Sequence, residues 1–134
     1  MKFGQATPQD TAFVREIPRV QIHILWVNDF YDGPIQGMAE IDGTRAMFDM
    51  IDRDVLGSEN EDRTYWLVSL DPVQLADEER WHELFCEKVG THFDYTDRAP
   101  IAAPASEHRQ FYDKYAQRTE PDYSRNEIVG WFRY

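Results

Sequence analysis

The chain has little cysteine, few basic residues and no long apolar runs. Its one cysteine, Cys86, cannot form a disulfide within the chain, which favours a reducing compartment. No apolar stretch approaches the roughly 20 residues that a membrane-spanning helix needs. The first residues, MKFGQ, lack the apolar core of a signal peptide. We therefore expect a cytoplasmic protein that does not associate with membranes.

Complete catalytic and cofactor motifs are also missing. The sequence has no G-x-S-x-G pattern, which forms the nucleophile elbow of many hydrolases. It also lacks both of the glycine-rich patterns that bind the phosphates of nucleotides. We expect no cofactor. The absence of these motifs favours a binding or regulatory protein over an enzyme. An enzymatic alternative stays open.

Acidic residues outnumber basic ones. The 134 residues include 25 acidic and 14 basic side chains, for a formal net charge of −11. Such a surface repels nucleic acid and anionic membranes, so we expect no direct binding to nucleic acid. It suits a basic protein partner. Acidity of this kind is also typical of bacterial cytosolic proteins, in which it favours solubility.

The length predicts one domain over residues 1–134. Two turn signals, Asp32-Gly33-Pro34 and Asp42-Gly43, divide the segment from Trp26 to Asp52 into three strands. The apolar run over residues 20–27 predicts a central strand, and we expect further strands at residues 64–70 and 127–134. Residues 1–19 indicate an arm or a short edge element.

Two segments have the marks of helices. Asp71 and Pro72 are a suitable N-cap and first helical residue, and Gly90 is a suitable stop, so we predict a helix over 72–89. Its expected apolar stripe is Leu75, Trp81, Leu84, Phe85 and Val89. A shorter helix is predicted near 106–116. Four to five mainly antiparallel strands with a long helix packed on them give an α+β class, with a curled, barrel-like sheet or an open sheet as alternatives.

The candidate binding surface for a protein partner combines acidic and aromatic residues. Its members are Asn28, Asp29, Phe30, Tyr31, Asp32, Glu59, Glu61 and Asp62. The first five surround the first turn, and the other three lie in the polar loop 53–63, which we expect to be mobile. Exposed aromatic residues dominate binding energy at protein interfaces. The alternative is that Asn28, Asp29 and Asp32 only cap the turn through nearby backbone amides.

A metal site is an alternative for the long helix. His82 and Cys86 are four residues apart and share a helix face, and His92 follows shortly after. The pattern is similar to H-E-x-x-H, with Cys86 in the place of the second histidine. In the simpler interpretation, Cys86 packs as a small apolar residue and His82 lies at the helix margin.

Two further functions stay open. The first is a hydrolase or metal-dependent enzyme, which would require Asp29, Asp32, His82, His92 and Glu78 or Glu83 to meet in one concave pocket. The second is a binder of a small apolar ligand, which would require a cavity lined by Leu25, Met38, Met47 and Trp66. The aromatic residues and the apolar last strand also leave a homodimer open.

Overall fold

A computed structural model describes residues 1–58, 62–91, 97–99 and 102–134. The chain divides into two compact units, the first being Met1–Leu70 with Tyr123–Tyr134 and the second Asp71–Asp122. The single domain over residues 1–134 stays a prediction.

A five-stranded antiparallel sheet forms the centre of the first unit. Its strands are β1 (His23–Phe30), β2 (Pro34–Ile41), β3 (Thr44–Met50), β4 (Thr64–Val68) and β5 (Ile128–Arg133). They lie in chain order, each paired with the next. In the described part of the chain β1 and β5 are not paired, so the sheet is open. The α+β class is confirmed, and the barrel-like alternative is wrong.

The turn between β2 and β3 forms as the sequence predicts. Ile41 pairs with Thr44 across the turn. The two residues between them, Asp42 and Gly43, have φ angles of 51° and 78°. Positive φ at both positions is what a two-residue hairpin of this type requires, and aspartate and glycine adopt it at low cost.

The prediction of a central first strand is wrong. Strand β1 begins only at His23, because Arg19–Gln21 form a short 3₁₀ helix, and it lies at one edge of the sheet. An unbroken apolar run is typical of a central strand, but here it belongs to an edge strand. Ile24, Leu25 and Trp26 are all buried, so consecutive side chains on both faces of the edge strand are apolar.

An N-terminal arm covers the opposite edge of the sheet. The N–H of Trp131 donates to the carbonyl of Arg15 at 3.0 Å, and the N–H of Ile17 donates to the carbonyl of Trp131 at 2.8 Å. The indole N–H of Trp131 reaches the carbonyl of Val14 at 3.0 Å. The outward N–H and carbonyl of Trp131 are thus satisfied within the chain, which protects this part of the edge from pairing with another strand.

Both faces of the sheet are packed. On one face, five buried residues form a cluster with partly buried residues of the N-terminal arm around it: Met47, Trp66, Val68, Tyr123 and Ile128. Side chains alternate along a strand, so the neighbours of Met47 and Trp66 point to the other face. There Tyr65 stacks on Phe132 with ring centroids 5.0 Å apart, and Phe48 meets Tyr65 edge-on at 5.4 Å.

The second unit contains two helices, α1 (Pro72–Lys88) and α2 (Ala105–Tyr115). The N-cap Asp71 accepts from the N–H of Gln74 at 2.8 Å, and the Gln74 side chain accepts from the N–H of Asp71 at 3.0 Å. This capping box confirms the predicted start, and Gly90 follows the helix end with a φ of 133°. No described helix is long and apolar enough to cross a membrane.

The buried stripe of α1 differs from the predicted one. Glu78, His82 and Cys86 are buried, whereas the five apolar residues expected there are only half-buried. Polar residues can be buried on this side because partners from distant parts of the chain pair with them. The guanidinium of Arg118 lies 3.0 Å from the Glu78 carboxylate and 2.8 Å from that of Asp77. A buried carboxylate is tolerated when such a partner compensates its charge.

Aromatic rings join the two helices. Trp81 meets Tyr115 edge-on with centroids 5.5 Å apart, and Phe85 meets Phe111 in the same way at 5.3 Å. Arg118 lies over the Trp81 ring, with its guanidinium carbon 5.4 Å from the ring centroid. The half-buried side of α1 therefore packs on α2 through rings, next to the buried ion pair.

Replacing Gly37 by alanine should destabilise the sheet strongly. An added Cβ atom would overlap the carbonyl oxygen of Trp26 on β1 and lie 2.8 Å from the Phe48 ring. We expect G37A to lower the free energy of unfolding in urea by about 3 kcal/mol, at the upper end of overpacking costs. The control G43A meets no atom within 4 Å, so it should cost only about 1 kcal/mol of backbone strain. Equal losses would contradict the packing argument.

Glu127 should make stability depend on acid pH. Lys2 at 2.5 Å, and then the terminal amino group of Met1 at 2.9 Å, lower the pKa of Glu127 to about 2. Because this value lies below the ordinary 4.5, the ionised carboxylate stabilises the fold above a pH of about 4.5. That contribution disappears as the pH falls towards 2.

The measurement is the melting temperature of wild type and E127Q as a function of pH. The variant should melt below the wild type at neutral pH, and the two should converge at a pH near 2. Salt should reduce the neutral-pH difference, because the Glu127 side chain is half-exposed. A difference that is the same at every pH would contradict the assignment.

Candidate functional site

The first candidate site is the aromatic turn, residues 28–32, which joins β1 to β2. Residues 28–30 end β1, and Tyr31 and Asp32 lead into Gly33. Asp32 has a φ of 51° and Gly33 a φ of 142°, backbone conformations that aspartate tolerates and glycine adopts freely. The N–H of Tyr31 donates to the carbonyl of Gly33 at 2.9 Å. The chain therefore reverses within three residues.

Two side chains of the first unit hold the backbone of the aromatic turn. The buried guanidinium of Arg63 donates to the carbonyl of Pro34 at 3.0 Å and also to that of Tyr31. The hydroxyl of Tyr65 donates to the same Pro34 carbonyl at 2.6 Å. Hydrogen bonds from a charged donor are stronger than neutral ones. Arg63, at the end of the loop 53–63, is therefore held by hydrogen bonds, and the mobility of that loop stays a prediction.

The aromatic rings of the turn face solvent. Phe30 is 49% and Tyr31 56% exposed, although the backbone beneath them is fixed. Each of these side chains leaves about half of its surface in water, so it adds less to the core of the first unit than a buried ring would. Aromatic residues, tyrosine among them, are enriched at interface hot spots in general.

The capping interpretation does not account for Asn28 and Asp29. Both residues lie in β1, and their side chains contact other side chains. The amide of Asn28 donates to the Gln36 side chain at 3.3 Å. The carboxylate of Asp29 lies 3.9 Å from the guanidinium of Arg53. Asp32 alone occupies a turn conformation, so the turn depends on fewer polar residues than the sequence suggested.

Negative charge is concentrated beside the aromatic turn. Asp49 on β3 accepts from Arg53 at 2.8 Å and lies close to Asp29. Burial raises the pKa of the Asp49 carboxyl, Arg53 opposes the rise, and the Asp29 carboxylate adds to it. The guanidinium of Arg53 thus pairs with two carboxylates, and it lies closer to Asp49 than to Asp29.

The acidic loop is only partly described. Glu59 and Glu61 lie outside the described residues. Asp62 is exposed, and its carboxylate pairs with the guanidinium of Arg133 on β5. Asp62 is therefore partly neutralised within the chain, by a residue 71 positions away that no local pattern connects with it.

The proposed metal ligands are partly brought together. His82 and Cys86 share the buried side of α1, and His92 lies outside the described residues. The Cys86 sulfur is 3.6 Å from Nε2 and 3.8 Å from Nδ1 of His82. Because the two distances are nearly equal, the sulfur is not aligned with either ring nitrogen. Among the described residues, no group of three or more His, Cys, Asp or Glu side chains is arranged to hold a metal ion.

Asp97 is the partner of His82 that the sequence analysis missed. Its carboxylate accepts from Nε2 of His82 at 3.0 Å, and the neighbouring Arg98 pairs with Glu83 on α1. The expectation that His82 lies at the helix margin is wrong, because its side chain is buried. No local pattern connects residues that are 15 positions apart, so only the three-dimensional structure reveals the pair.

The local environment of Cys86 does not activate its thiol. Burial raises the pKa of the Cys86 thiol, and burial also lowers the pKa of His82 against the opposing effect of Asp97. Cys86 is 1% exposed. A nucleophilic cysteine needs the thiolate form and access to substrate, and this environment favours neither.

The two glutamates of the enzymatic alternative are held in ion pairs. Glu78 binds Arg118, and Glu83 binds Arg98. Asp29 and Asp32 belong to the first unit and His82 to the second. A common pocket for these residues stays a prediction.

The residues of the ligand-binding alternative are all buried. Leu25, Met38, Met47 and Trp66 are each at most 3% exposed. Met47 and Trp66 pack together in the cluster on one face of the sheet. Binding of an apolar ligand among them stays a prediction.

Comparison of the chain with protein-family models, with curated proteins and with solved structures found no match.

Removing the Arg63 guanidinium should loosen the aromatic turn. R63M leaves the carbonyl of Tyr31 without this donor, so we expect a loss of about 2 kcal/mol in the free energy of unfolding. The amide of Tyr31 should also exchange its hydrogen faster, as measured by NMR. The control R53M removes a half-exposed arginine and should cost less than about 1 kcal/mol. An unchanged rate of amide hydrogen exchange at Tyr31 in R63M would contradict the role of Arg63 in holding the turn.

Proposed function

We propose that this protein is a binding module and that its aromatic turn is the surface that contacts another protein. The observation that carries the proposal is the combination of two exposed rings, Phe30 and Tyr31, with a backbone held by buried donors, Arg63 and Tyr65. A preorganised surface loses little conformational entropy on binding, which favours affinity.

The charge of the chain supports a partner with a basic surface. A net charge of −11 attracts positively charged proteins and speeds their association. The same charge disfavours nucleic acid, whose phosphates are negative. A second copy of the chain would bring like charges together, so a homodimer through the aromatic turn is the less favoured form of this proposal.

We place this interaction in the cytoplasm of a bacterial cell. The free thiol of Cys86 is buried, and a lone reduced cysteine is typical of proteins in reducing compartments. The binding proposal does not depend on this location, and it uses no cofactor.

The test compares three immobilised proteins in a lysate of the source organism: wild type, F30A/Y31A and F13A. Phe13 is a matched control because it is 83% exposed in the N-terminal arm, away from the aromatic turn in sequence. We expect the double variant to lose specific partners by at least about tenfold, since hot-spot aromatics contribute about 2 kcal/mol or more. F13A should retain them.

Circular dichroism and thermal unfolding establish that the variants are folded. Size-exclusion chromatography at several concentrations tests whether the captured partner is a second copy of the chain. Equal capture by wild type and F30A/Y31A, measured by quantitative mass spectrometry, would refute the aromatic turn as the binding surface.

A further inference from the structure

The chain contains two Asp-Gly pairs, and both lie in turns of the first unit. Asp32-Gly33 belongs to the turn between β1 and β2, and Asp42-Gly43 joins β2 to β3. Both aspartates are exposed, and both have a φ of 51°. The two pairs are thus matched in residue type, in exposure of the aspartate and in its φ, and they differ in the contacts around them.

An aspartate that precedes glycine is open to rearrangement, because glycine has no side chain to shield its backbone nitrogen. For Asp42, the nitrogen of Gly43 attacks Cγ, and the new C–N bond closes a five-membered imide ring. The carboxyl hydroxyl and the amide proton leave together as water. Water then opens the ring, at the former main-chain carbonyl to give isoaspartate or at Cγ to restore aspartate. The water released equals the water consumed, so the reaction needs no other reactant.

Few contacts restrain the Asp42-Gly43 pair. Within the described ranges, the Asp42 side chain makes no hydrogen bond or ion pair, and the N–H of Gly43 donates to no acceptor. A Cβ atom added at Gly43 would meet no atom within 4 Å. The carboxyl group and the attacking nitrogen are therefore both accessible.

The hairpin geometry also gives the Gly43 nitrogen a path to the carboxyl group. Rotation of the peptide plane between Asp42 and Gly43 interconverts types I′ and II′, the two common forms of a two-residue hairpin turn. The pairing of Ile41 with Thr44 is common to both forms. In the rotated form, the Gly43 nitrogen lies on the same side of the backbone as the Asp42 side chain. The reactive conformation is thus reached without unpairing the strands.

The Asp32-Gly33 pair is held on both sides. The guanidinium of Arg63 donates to the carbonyl of Tyr31, which precedes the pair, and to that of Pro34, which follows it. The N–H of Tyr31 also donates to the carbonyl of Gly33 at 2.9 Å. Rotation of the peptide between Asp32 and Gly33 therefore disturbs groups that a charged donor holds in place.

We propose that Asp42 isomerises spontaneously to isoaspartate and that the contacts of Arg63 protect Asp32 from the same reaction. Isoaspartate adds one main-chain atom to a turn whose length fixes the register of the strands, so the modification alters the end of the β2–β3 hairpin. This inference is independent of the proposed function, which concerns the turn at the other end of β2.

Ageing of the folded full chain at neutral pH and physiological temperature tests the proposal. Trypsin cleaves after Arg19 and Arg45, so one peptide, residues 20–45, carries both sites. Electron-transfer fragmentation in mass spectrometry locates isoaspartate in that peptide, and an unaged sample corrects for isomerisation during digestion. We expect isoaspartate to form at Asp42 at least about tenfold faster than at Asp32, on the scale of the charged hydrogen bonds that rotation at Asp32 disturbs.

Three comparisons separate the structure from the local sequence. In R63M, the rate at Asp32 should rise about tenfold, and the rate at Asp42 should stay unchanged if the variant is folded. In wild type unfolded by urea, the contacts of Arg63 are lost, so the two rates should converge. D42E moves the carboxyl carbon one bond further from the Gly43 nitrogen. It should therefore form no isomer at this position and leave the rate at Asp32 unchanged.

Each outcome decides the proposal. A lack of isoaspartate at Asp42 after ageing, or equal rates at the two sites in the folded chain, would overturn it. The same ratio of rates in folded and urea-unfolded protein would assign the difference to sequence neighbours and overturn the protective role of Arg63. An unchanged rate at Asp32 in folded R63M would have the same consequence. If R63M does not fold, the comparison in urea decides.

Discussion

The buried guanidinium of Arg63 is the contact on which the candidate site depends. It lies just before β4 and donates to two carbonyls at the far end of the β1–β2 hairpin, about thirty residues earlier in the chain. A buried cation is costly unless its donors are satisfied, and here backbone oxygens provide part of that compensation. The turn and the start of β4 are consequently fixed together. Gly33 permits this approach, because a Cβ atom there would lie only 3.0 Å from Arg63.

Two further glycines, both in strands, allow side chains to pack closely against the sheet. Gly37 leaves room for the Phe48 ring, and Gly130 leaves room for the side chain of Ile17 in the N-terminal arm. Both glycines lie in strands, where the residue usually weakens the sheet, so their role here is close approach. The arm then satisfies the outward N–H and carbonyl of Trp131 in β5. Phe30 and Tyr31 at the hairpin end near β1 stay exposed, as do Phe13 and Tyr134 elsewhere in this unit.

Local chemistry made much of this fold predictable from the sequence. The Asp42-Gly43 turn, the Asp71 cap and the stop at Gly90 each depend on neighbours within a few residues. The errors concern pairs distant in sequence. Glu78 is buried because Arg118 lies beside it, and His82 is buried beside Asp97. A helix that buries carboxylate and imidazole cannot be recognised from apolar periodicity, since the compensating groups lie on other segments. The candidate turn was predictable by composition, but its anchor Arg63 was not.

The contrast between the two buried polar sites bears on where function lies. In the second unit, Glu78, His82 and Cys86 are enclosed, and the carboxylates near them are paired with arginine. These contacts compensate the buried polar groups of α1 within the second unit. In the first unit, the side chains of Arg63 and Tyr65 donate to backbone carbonyls. The rings of the aromatic turn are about half-exposed to solvent. Fixing a backbone while exposing its rings adds little to the core, and it is the arrangement that a partner with complementary charge can use.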